Sequence, residues 1–352
     1  MNKKLYSDNG YLNFRYIFKM SEKHCCPYIL IVGGRGTGKT YGALKYLTSE
    51  NIKFMFMRRT QTQLDLIRKP EFSPFKSINR DLNKTIEFFT ISKYNSALYD
   101  SEINEKGKLV PVGEPYGIAA ALSTFSNLRG FDASDLDIVL YDEFICERHE
   151  RPLKEEANAL FNALETIGRN RELNGQKPLK LLALANANNI SNPIFVSLGL
   201  VTQAEKMTRS GQEIYFNKSK GIMLIMLNDS PISSKKMQTA LYNLTGGTEY
   251  ADMALHNNFV GVARDCIESQ DLRQYKLSTI VGELAIYKHK SERRFYVTTH
   301  ISGECKETFT TSINSLRAFR IKYGDIWGLY CIGLVKFETY SLQVLFEKYY
   351  KE

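Results

Sequence analysis

The sequence predicts an α/β protein of two main domains, the first of which is built on a parallel sheet. Three observations support this prediction. Apolar runs alternate with helical patterns in the first half of the chain, as in proteins made of βαβ units. The length of 352 residues exceeds what one ordinary domain needs. After about residue 200 the pattern changes to short strands and helices, which indicates a second, α+β domain.

Composition excludes several classes of protein. The hydrophobic fraction of 43% and the charged fraction of 24% are those of a globular chain, so wholesale disorder, collagen and coiled coil are excluded. We find no apolar run long enough to span a bilayer and no apolar signal-peptide core near the N-terminus, so we expect neither a membrane span nor export. The six cysteines form no Cys-x-x-Cys pair and are expected to be reduced in a cytosolic compartment.

The elements of the first domain follow from their patterns in chain order. The continuous apolar run Tyr28–Val32 is typical of a strand buried on both faces, and Tyr41–Thr48 predicts the helix after it. Further strands are predicted at Lys53–Met57, between Ile86 and Leu122 as an antiparallel group, at Ile138–Tyr141 and at Leu179–Ala185. One helical stripe, with Pro152 near its first turn, comprises Leu153, Ala157, Leu160, Leu164 and Ile167.

The second half of the chain is predicted to hold a connecting region and the second domain. We expect the first domain at residues 1–205, the connecting region at 206–245 and the second domain at 246–352. The connecting region contains a predicted hairpin of Ile214–Phe216 and Gly221–Leu227. Short strands and helices of the second domain are predicted at Leu284–Tyr287, Phe295–Thr299, Glu307–Thr311, Leu316–Ile321 and Leu342–Tyr349.

A complete phosphate-binding motif follows the first predicted strand. It fits G-x-x-x-x-G-K-[ST] at Gly33, Gly34, Arg35, Gly36, Thr37, Gly38, Lys39 and Thr40. Glycines allow the backbone to approach the phosphates, and the N–H groups of the loop and the helix N-terminus bind them. Lys39 is expected to reach the β- and γ-phosphates of ATP, and Thr40 to give its hydroxyl to Mg²⁺.

Polar residues at the ends of other predicted strands complete the site. The strand at 138–141 ends in Asp142 and Glu143, which we expect to hold the metal and to orient or deprotonate an attacking water, respectively. Arg58 ends the second strand and is a candidate for phosphate or interface contact, and Asn186 is a candidate γ-phosphate sensor. Arg169 and Arg171 end the amphipathic helix, where they are either solvated charges or an arginine finger for a neighbouring subunit.

These motifs together resemble a known family, the encapsidation ATPases of phi29-type bacteriophages, within the additional-strand (ASCE) class of P-loop ATPases. The resemblance covers most of the chain. It is carried by GGRGTGKT at 33–40, FMFMRRTQ at 54–61, VLYDEFI at 139–145, GRNRE at 168–172, LANANNISNPIF at 184–195 and GGTEYADMALHNNFVG at 246–261.

The resemblance implies a motor of viral genome packaging. It implies a ring of five identical subunits in the host-cell cytoplasm, docked on the portal of a procapsid, that passes double-stranded DNA as it hydrolyses ATP with Mg²⁺. It leaves open whether a structural RNA joins ring and portal. By position, Arg169 matches the family's trans-acting finger, with Arg171 the weaker choice, and Arg58 matches an arginine that flanks the nucleotide.

The second domain is similar to the vestigial, RNase H-like nuclease domain of this family. An active nuclease needs three or four carboxylates around two metal ions, and the predicted strands here carry few acids. We therefore expect nucleic-acid binding instead, at Lys288, Lys290, Arg293 and Arg294, with aromatic residues interleaved. A plain solvated hairpin is the alternative for this cluster. For the whole chain the alternatives are a terminase-like ATPase with an active nuclease and a non-motor nucleotide-binding switch.

Overall fold

The computed structural model describes residues 3–128, 133–147, 150–228, 230–256, 266–305 and 307–351. The chain divides into two compact units. The first comprises Met1–Ser197 and Lys206–Val260, and the second comprises Leu198–Glu205 and Gly261–Glu352. The α/β class with a second α+β domain is confirmed. Among the described residues, no helix is both long and apolar enough to cross a bilayer.

The first unit is built on a nine-stranded sheet. In chain order its strands are β1 Tyr28–Gly33, β2 Phe54–Arg58, β3 Ile86–Thr90, β4 Asn95–Ile103, β5 Leu109–Ala121, β6 Ile138–Asp142, β7 Lys180–Ala185, β8 Ile214–Asn217 and β9 Ile222–Leu227. Their spatial order is β3-β4-β5-β2-β6-β7-β1-β9-β8. The six central strands, in the spatial order β5, β2, β6, β7, β1 and β9, are parallel to one another. The strands β3 and β4 on one side and β8 on the other are antiparallel to their neighbours.

Burial on both faces explains the continuous apolar sequence of the central strands. In β1, Ile29, Leu30, Ile31 and Val32 are all fully buried although successive side chains point to opposite faces.

The helices of this unit are α1 Phe14–Lys23, α2 Lys39–Ser49, α3 Gln61–Ile67, α4 Lys76–Leu82, α5 Glu156–Gly168, α6 Pro193–Leu198, α8 Pro231–Lys236, α9 Ala240–Thr245 and α10 Glu249–His256, and α7 Val201–Ser210 begins in the second unit.

The second unit contains a five-stranded mixed sheet. Its strands are β10 Tyr275–Val281, β11 Leu284–His289, β12 Phe295–Thr298, β13 Thr308–Phe309 and β14 Val335–Phe337, in the order β13-β10-β11-β12-β14. Strands β10 to β12 are antiparallel, and each outer strand pairs in parallel with its neighbour. Helices α11 Ile313–Cys331 and α12 Tyr340–Lys351 pack through Phe319 and Phe346 on the core that contains Val297.

Several details of the prediction differ from the structure. The segment 206–245 is not a separate region, because its hairpin β8–β9 extends the sheet of the first unit, where β9 pairs with β1 along six residues. The second domain, predicted at 246–352, corresponds to a unit of Gly261–Glu352 together with Leu198–Glu205. The amphipathic helix begins at Glu156, so Pro152 and Leu153 precede it instead of forming its first turn. The helix predicted at Leu316–Ile321 is longer, Ile313–Cys331, and the other predicted strands and helices are present with bounds shifted by a few residues.

Candidate nucleotide-binding site

The phosphate-binding loop joins the end of β1 to the start of α2. Gly38 has φ +80° and Gly36 has φ +69°, a left-handed conformation that glycine adopts without steric strain. Helix α2 begins at Lys39 and has 11 residues, so its unpaired N–H groups face the space above the loop. The loop therefore has the backbone of an anion cradle, as the motif predicted.

Lys39 is buried beneath the loop. Its Nζ donates to the carbonyls of Gly33 and Gly34 at 2.9 and 2.8 Å, and to Asn186 Oδ1 at 3.1 Å. Asn186 follows the last residue of β7, which places it at the same sheet edge as the loop. The structure thus brings the predicted γ-phosphate sensor into direct contact with the predicted phosphate-binding lysine.

The acidic pair lies beside the loop at the end of β6. Thr40 Oγ1 donates to Asp142 Oδ1 at 2.9 Å, and Arg58 Nη1 donates to Asp142 Oδ2 at 2.7 Å. Arg58 also pairs with Glu143 through Nη2. Arg58 can reach both acids because β2 and β6 are neighbouring parallel strands, which end at the same edge of the sheet. The cleft of about 340 Å³ is lined by Arg35, Gly36, Gly38, Lys39, Thr40, Tyr41, Asp142, Glu143, Ala185 and Asn186.

The oxygen atoms of Thr40 and Asp142 fit a magnesium ion. Mg²⁺ is held in such sites by one or two protein oxygens together with substrate phosphates and water. The hydroxyl and the carboxylate already lie 2.9 Å apart at the mouth of the phosphate cradle. When bound there, the ion supplies positive charge to the phosphate oxygens.

Glu143 has an unusual backbone and an altered acidity. Its φ of +59° is rare for a residue with a side chain and directs the chain away from β6 immediately after Asp142. Burial in the cleft raises the pKa of Glu143, the nearby carboxylates of Asp142, Glu147 and Glu150 raise it further, and Arg58 opposes them. A carboxylate with a raised pKa beside a phosphate cradle is suited to accept a proton from water.

A second groove adjoins the other end of the phosphate loop. It has a volume of about 820 Å³ and its lining includes Tyr11, Tyr41, Arg80 and Asp81. The ring of Tyr11 packs against Gly38, where an added Cβ would lie 2.6 Å from a ring carbon. The groove is large enough for the base and ribose of a nucleotide. No motif in the sequence singled out Tyr11, because its position depends on a turn that precedes α1.

Arg59 has a structural role at the same edge of the sheet. Its side chain is 1% exposed and donates to Glu156 Oε1 at 2.8 Å and to Glu150 Oε2 at 2.9 Å. Tyr141 OH also donates to Glu156 Oε1, at 3.0 Å. These bonds join the segment that follows Glu143 to the ends of β2 and β6. They also satisfy the carboxylate of Glu156, which is buried at the first residue of α5.

Replacing Arg59 with Met should lower the free energy of unfolding by about 3–5 kcal/mol, because Glu156 would remain buried without its charge partner. The double variant Arg59→Met/Glu156→Gln should recover part of this loss, since the amide carries no charge. Urea unfolding followed by fluorescence measures both. Arg80→Met, at an exposed arginine, is the control and should change stability by less than about 1 kcal/mol. An equally small effect of Arg59→Met would contradict the assigned role.

Arg169 lies away from the cleft of its own chain. It follows α5, whose end packs near Leu179 before β7, and Arg171 Nη1 donates to the carbonyl of Leu136 before β6 at 2.8 Å. The phosphate loop lies at the opposite, carboxyl end of these strands. The five residues of β6 alone separate the two edges by about 16 Å, at about 3.3 Å per residue. Arg169 is exposed, with φ +44°.

The predicted nucleic-acid cluster lies on β11 and the turn after it. Lys288, Lys290 and Arg293 are exposed, whereas Arg294 pairs with Glu292 at 3.0 Å. The aromatic residues between them do not face solvent, because Tyr287, Phe295 and Tyr296 are at most 5% exposed and fill the core. Lys276 of β10 lies directly opposite Lys288 and is also exposed, a contribution that the sequence reasoning missed.

Binding of ATP should be accompanied by proton uptake at Lys39. Burial lowers the pKa of this lysine to about 7, with Lys236 and Arg35 adding to the effect and Asp142 opposing it. Phosphate charges raise the pKa again, so binding should take up more protons at pH 8, where much of Lys39 is neutral before binding, than at pH 6, where most of it is already charged. Calorimetry in buffers of different ionisation enthalpy measures this uptake. Equal uptake at the two pH values would contradict the prediction.

The strand order defines the class of the first unit. The phosphate-loop strand β1 and the acidic strand β6 are separated by one additional strand, β7, which carries Asn186 at its end. With the loop, the lysine and the acid pair in place, this is an ASCE P-loop ATPase fold. The family model of the podovirus DNA encapsidation protein (Gp16) matches residues 19–320, and the chain belongs to this family.

Individual relatives agree with the family. The chain is 27% identical over 295 residues to the DNA packaging protein of Bacillus phage B103, covering 81% of this chain and 82% of the relative. It is 25% identical to the DNA packaging protein of Bacillus phage phi29, covering 81% and 79%. The fold is similar to that of the bacteriophage Phi-29 viral genome packaging motor assembly, with a TM-score of 0.64 at 18% identity over 96% of this chain and 98% of the other. The fold is also similar to that of the Phi-28 gp11 DNA packaging motor, with a TM-score of 0.61 at 18% identity and 98% of each chain covered.

Proposed function

We propose that this protein is an ATP-hydrolysing motor that moves double-stranded DNA into a viral procapsid. The observation that carries the proposal is the complete set of phosphate loop, Asp142 and Glu143 at one sheet edge, in a chain of the DNA encapsidation family. The motor acts as a ring of five identical subunits docked on the procapsid portal in the host-cell cytoplasm. A structural RNA between ring and portal is a further partner to be tested.

Within each subunit, the residues of the cleft divide the work of hydrolysis. The loop N–H groups and Lys39 bind the phosphates, and Thr40 and Asp142 would hold Mg²⁺. Glu143 orients the attacking water and accepts its proton as the water oxygen bonds to the terminal phosphorus and the bond to the ADP oxygen breaks. Asn186, which accepts a hydrogen bond from Lys39, responds to the terminal phosphate.

The contacts of Arg58 with the acidic pair bear on the timing of hydrolysis. Its guanidinium holds both Asp142 and Glu143, and its side chain is 12% exposed. A carboxylate that is held by arginine is a weaker base, since the ion pair favours its charged form. Arg58 therefore has to loosen its contact with Glu143, for example by turning to the phosphates, before the water is activated.

The DNA-binding part of the proposal is supported by the charge on β10 and β11. Lys276 and Lys288 are cross-strand neighbours, and like charges placed opposite each other destabilise a sheet unless an anion lies between them. Lys290 and Arg293 extend this exposed positive surface into the following turn. Phosphate groups of a DNA backbone are the anion we propose, and binding should weaken with salt.

The decisive experiment is DNA-stimulated ATP turnover. Linear duplex DNA should raise the ATPase rate at low salt, and the stimulation should fall steeply between about 50 and 200 mM salt. The variant Lys276→Ala/Lys288→Ala should need more DNA for half-maximal stimulation. Lys106→Ala/Lys108→Ala, which removes the same charge from an exposed turn of the first unit, is the control. An ATPase that does not respond to DNA at low salt would contradict the motor function and favour the nucleotide-binding switch.

A nuclease assay with Mn²⁺, run beside the ATPase assay, tests the alternative of an active nuclease. We propose that the second unit binds DNA without cleaving it. Several of its carboxylates are already paired with cations, such as Glu307 with Lys322 and Glu347 with Lys351. Cleavage that persists after Glu143→Gln, a substitution in the other unit, would assign nuclease activity to this protein.

A further inference from the structure

The helices after β9 pack directly on the phosphate loop. The carbonyl of Ala254, in α10, accepts a hydrogen bond from the N–H of Arg35 at 3.1 Å. Ser233 of α8 donates to the carbonyl of Leu255 at 2.7 Å, which joins α8 to α10. Residues 231–256, here called the helical cap, are therefore bonded to the loop that binds the phosphates, although about 200 residues separate them in sequence.

One side chain of the helical cap enters the loop itself. Lys236 Nζ donates to the carbonyl of Arg35, and an added Cβ on Gly36 would lie 2.4 Å from this nitrogen. Lys236 is half-buried and lies over the ring of Tyr242, 5.5 Å from the centroid. Among the described residues, no carboxylate pairs with its ammonium group. The absence of a side chain at Gly36 thus makes room for a second lysine at the loop.

The loop has two distinguishable ends, and Lys236 lies at the hydrolytic one. Arg35, whose carbonyl Lys236 binds, pairs through its guanidinium with Glu147, four residues after Glu143. Gly38, at the other end, packs against Tyr11 in the groove that suits the nucleoside. A triphosphate that runs between these ends has its terminal phosphate on the side of Arg35 and Gly36.

The charges around the loop agree with this placement. Lys39 Nζ donates to the carbonyl of Gly34 and Lys236 Nζ to that of Arg35, the next residue, so the ammonium groups lie at adjacent carbonyls of the loop, which also carries the Arg35 guanidinium. Burial, and then Arg35, lower the pKa of Lys236. Bringing three cations together costs free energy, which a polyphosphate among them would offset.

We infer that Lys236 is a second phosphate-binding lysine. When ATP binds, the ammonium group of Lys236 moves from the Arg35 carbonyl to the terminal phosphate, and this contact distinguishes ATP from ADP. The inference rests on the proposed use of ATP and adds a residue outside the two sequence motifs. Because Lys236 belongs to the helical cap, its contact with the terminal phosphate makes the position of the cap depend on whether that phosphate is present.

The test compares nucleotide affinities in Lys236→Met and in the control Lys235→Met, which alters an exposed lysine of the same helix. Lys236→Met should raise the Kd of a non-hydrolysable ATP analogue about tenfold and that of ADP less than about twofold, since a charge-assisted bond to the terminal phosphate is lost. Lys235→Met should change neither, and Lys236→Arg should retain analogue binding. Calorimetry on the full chain gives both constants.

The outcomes separate this inference from the function on which it rests. An unchanged analogue Kd in Lys236→Met, or equal weakening of the analogue and ADP, would overturn the assignment to the terminal phosphate. A purely structural role would lower the thermal midpoint of the nucleotide-free chain and leave the ratio of the two Kd values unchanged, which also overturns it. Failure of the wild-type chain to bind either nucleotide would instead contradict the proposed ATPase, and this inference with it.

Discussion

Glu143→Gln is expected to abolish ATP turnover while ATP still binds. The amide keeps the shape of the side chain but cannot accept a proton from water, and loss of a positioned general base typically costs 10²–10⁴-fold in rate. The affinity for ATP should change little, because the phosphate contacts come from the loop, Lys39 and Thr40. Steady-state ATPase assays give kcat, and calorimetry with a non-hydrolysable analogue gives the Kd.

A second readout is the acid limb of the pH–rate profile. Burial and neighbouring carboxylates raise the pKa of Glu143, and only its ionised form can act as a base. Activity should therefore fall as the pH drops through this raised pKa, at a higher pH than for an exposed glutamate, and the residual activity of Glu143→Gln should lack this limb.

Glu147→Gln serves as the control for Glu143, because it removes a carboxylate from the same edge of the sheet, one that pairs with Arg35. We expect a much smaller loss of kcat. A Glu143→Gln variant that turns over ATP at the wild-type rate would remove Glu143 from the chemistry, and Glu147 would become the next candidate. If instead both variants fail to bind the analogue, the defect lies in the loop and not in the hydrolytic step.

The fold was predictable where sequence pattern and burial coincide. Strand β1 reads as a continuous apolar run because both of its faces are covered, and the glycines after it mark the turn into α2. The hairpin β8–β9 was predicted as a hairpin but assigned to a connecting region. Its pairing with β1 joins residues almost 200 positions apart, and an apolar strand pattern does not specify its partner.

The site was predictable where the motif itself carries the chemistry. Lys39, Thr40, Asp142 and Glu143 meet in one cleft because the carboxyl ends of parallel strands share an edge. The contact of Lys236 with the loop and the burial of Arg59 depend on side chains brought together by tertiary packing. The aromatic residues interleaved with the basic cluster near Lys288 are buried instead, because both faces of β12 are covered: Phe295 packs in one hydrophobic cluster and Tyr296 in another.

Mixing two inactive variants should restore activity if Arg169 completes the site of a neighbouring subunit. Arg169 lies at the opposite edge of the sheet from its own phosphate loop, as the contact between Arg171 and Leu136 shows. An arginine side chain cannot cross the width of the sheet, so a catalytic role for Arg169 requires a second copy of the chain. Its left-handed backbone, which costs about 1–3 kcal/mol, is the kind of strain that persists at functional positions.

In a mixed ring of Arg169→Ala and Glu143→Gln subunits, a site works when an intact Glu143 faces an intact Arg169 of the next subunit. Random mixing at equal amounts makes about a quarter of the sites complete, and this fraction is the maximum over all ratios. Mixing Lys39→Ala with Glu143→Gln is the control, because both changes damage the subunit's own site and no combination repairs it. Recovery that peaks near equal amounts, absent from this control, assigns Arg169 to the neighbour's nucleotide.

Because Arg171 donates to the Leu136 carbonyl, Arg171→Ala mixed in the same way should show lowered stability without recovery of activity. Recovery with Arg171→Ala and none with Arg169→Ala would make Arg171 the finger.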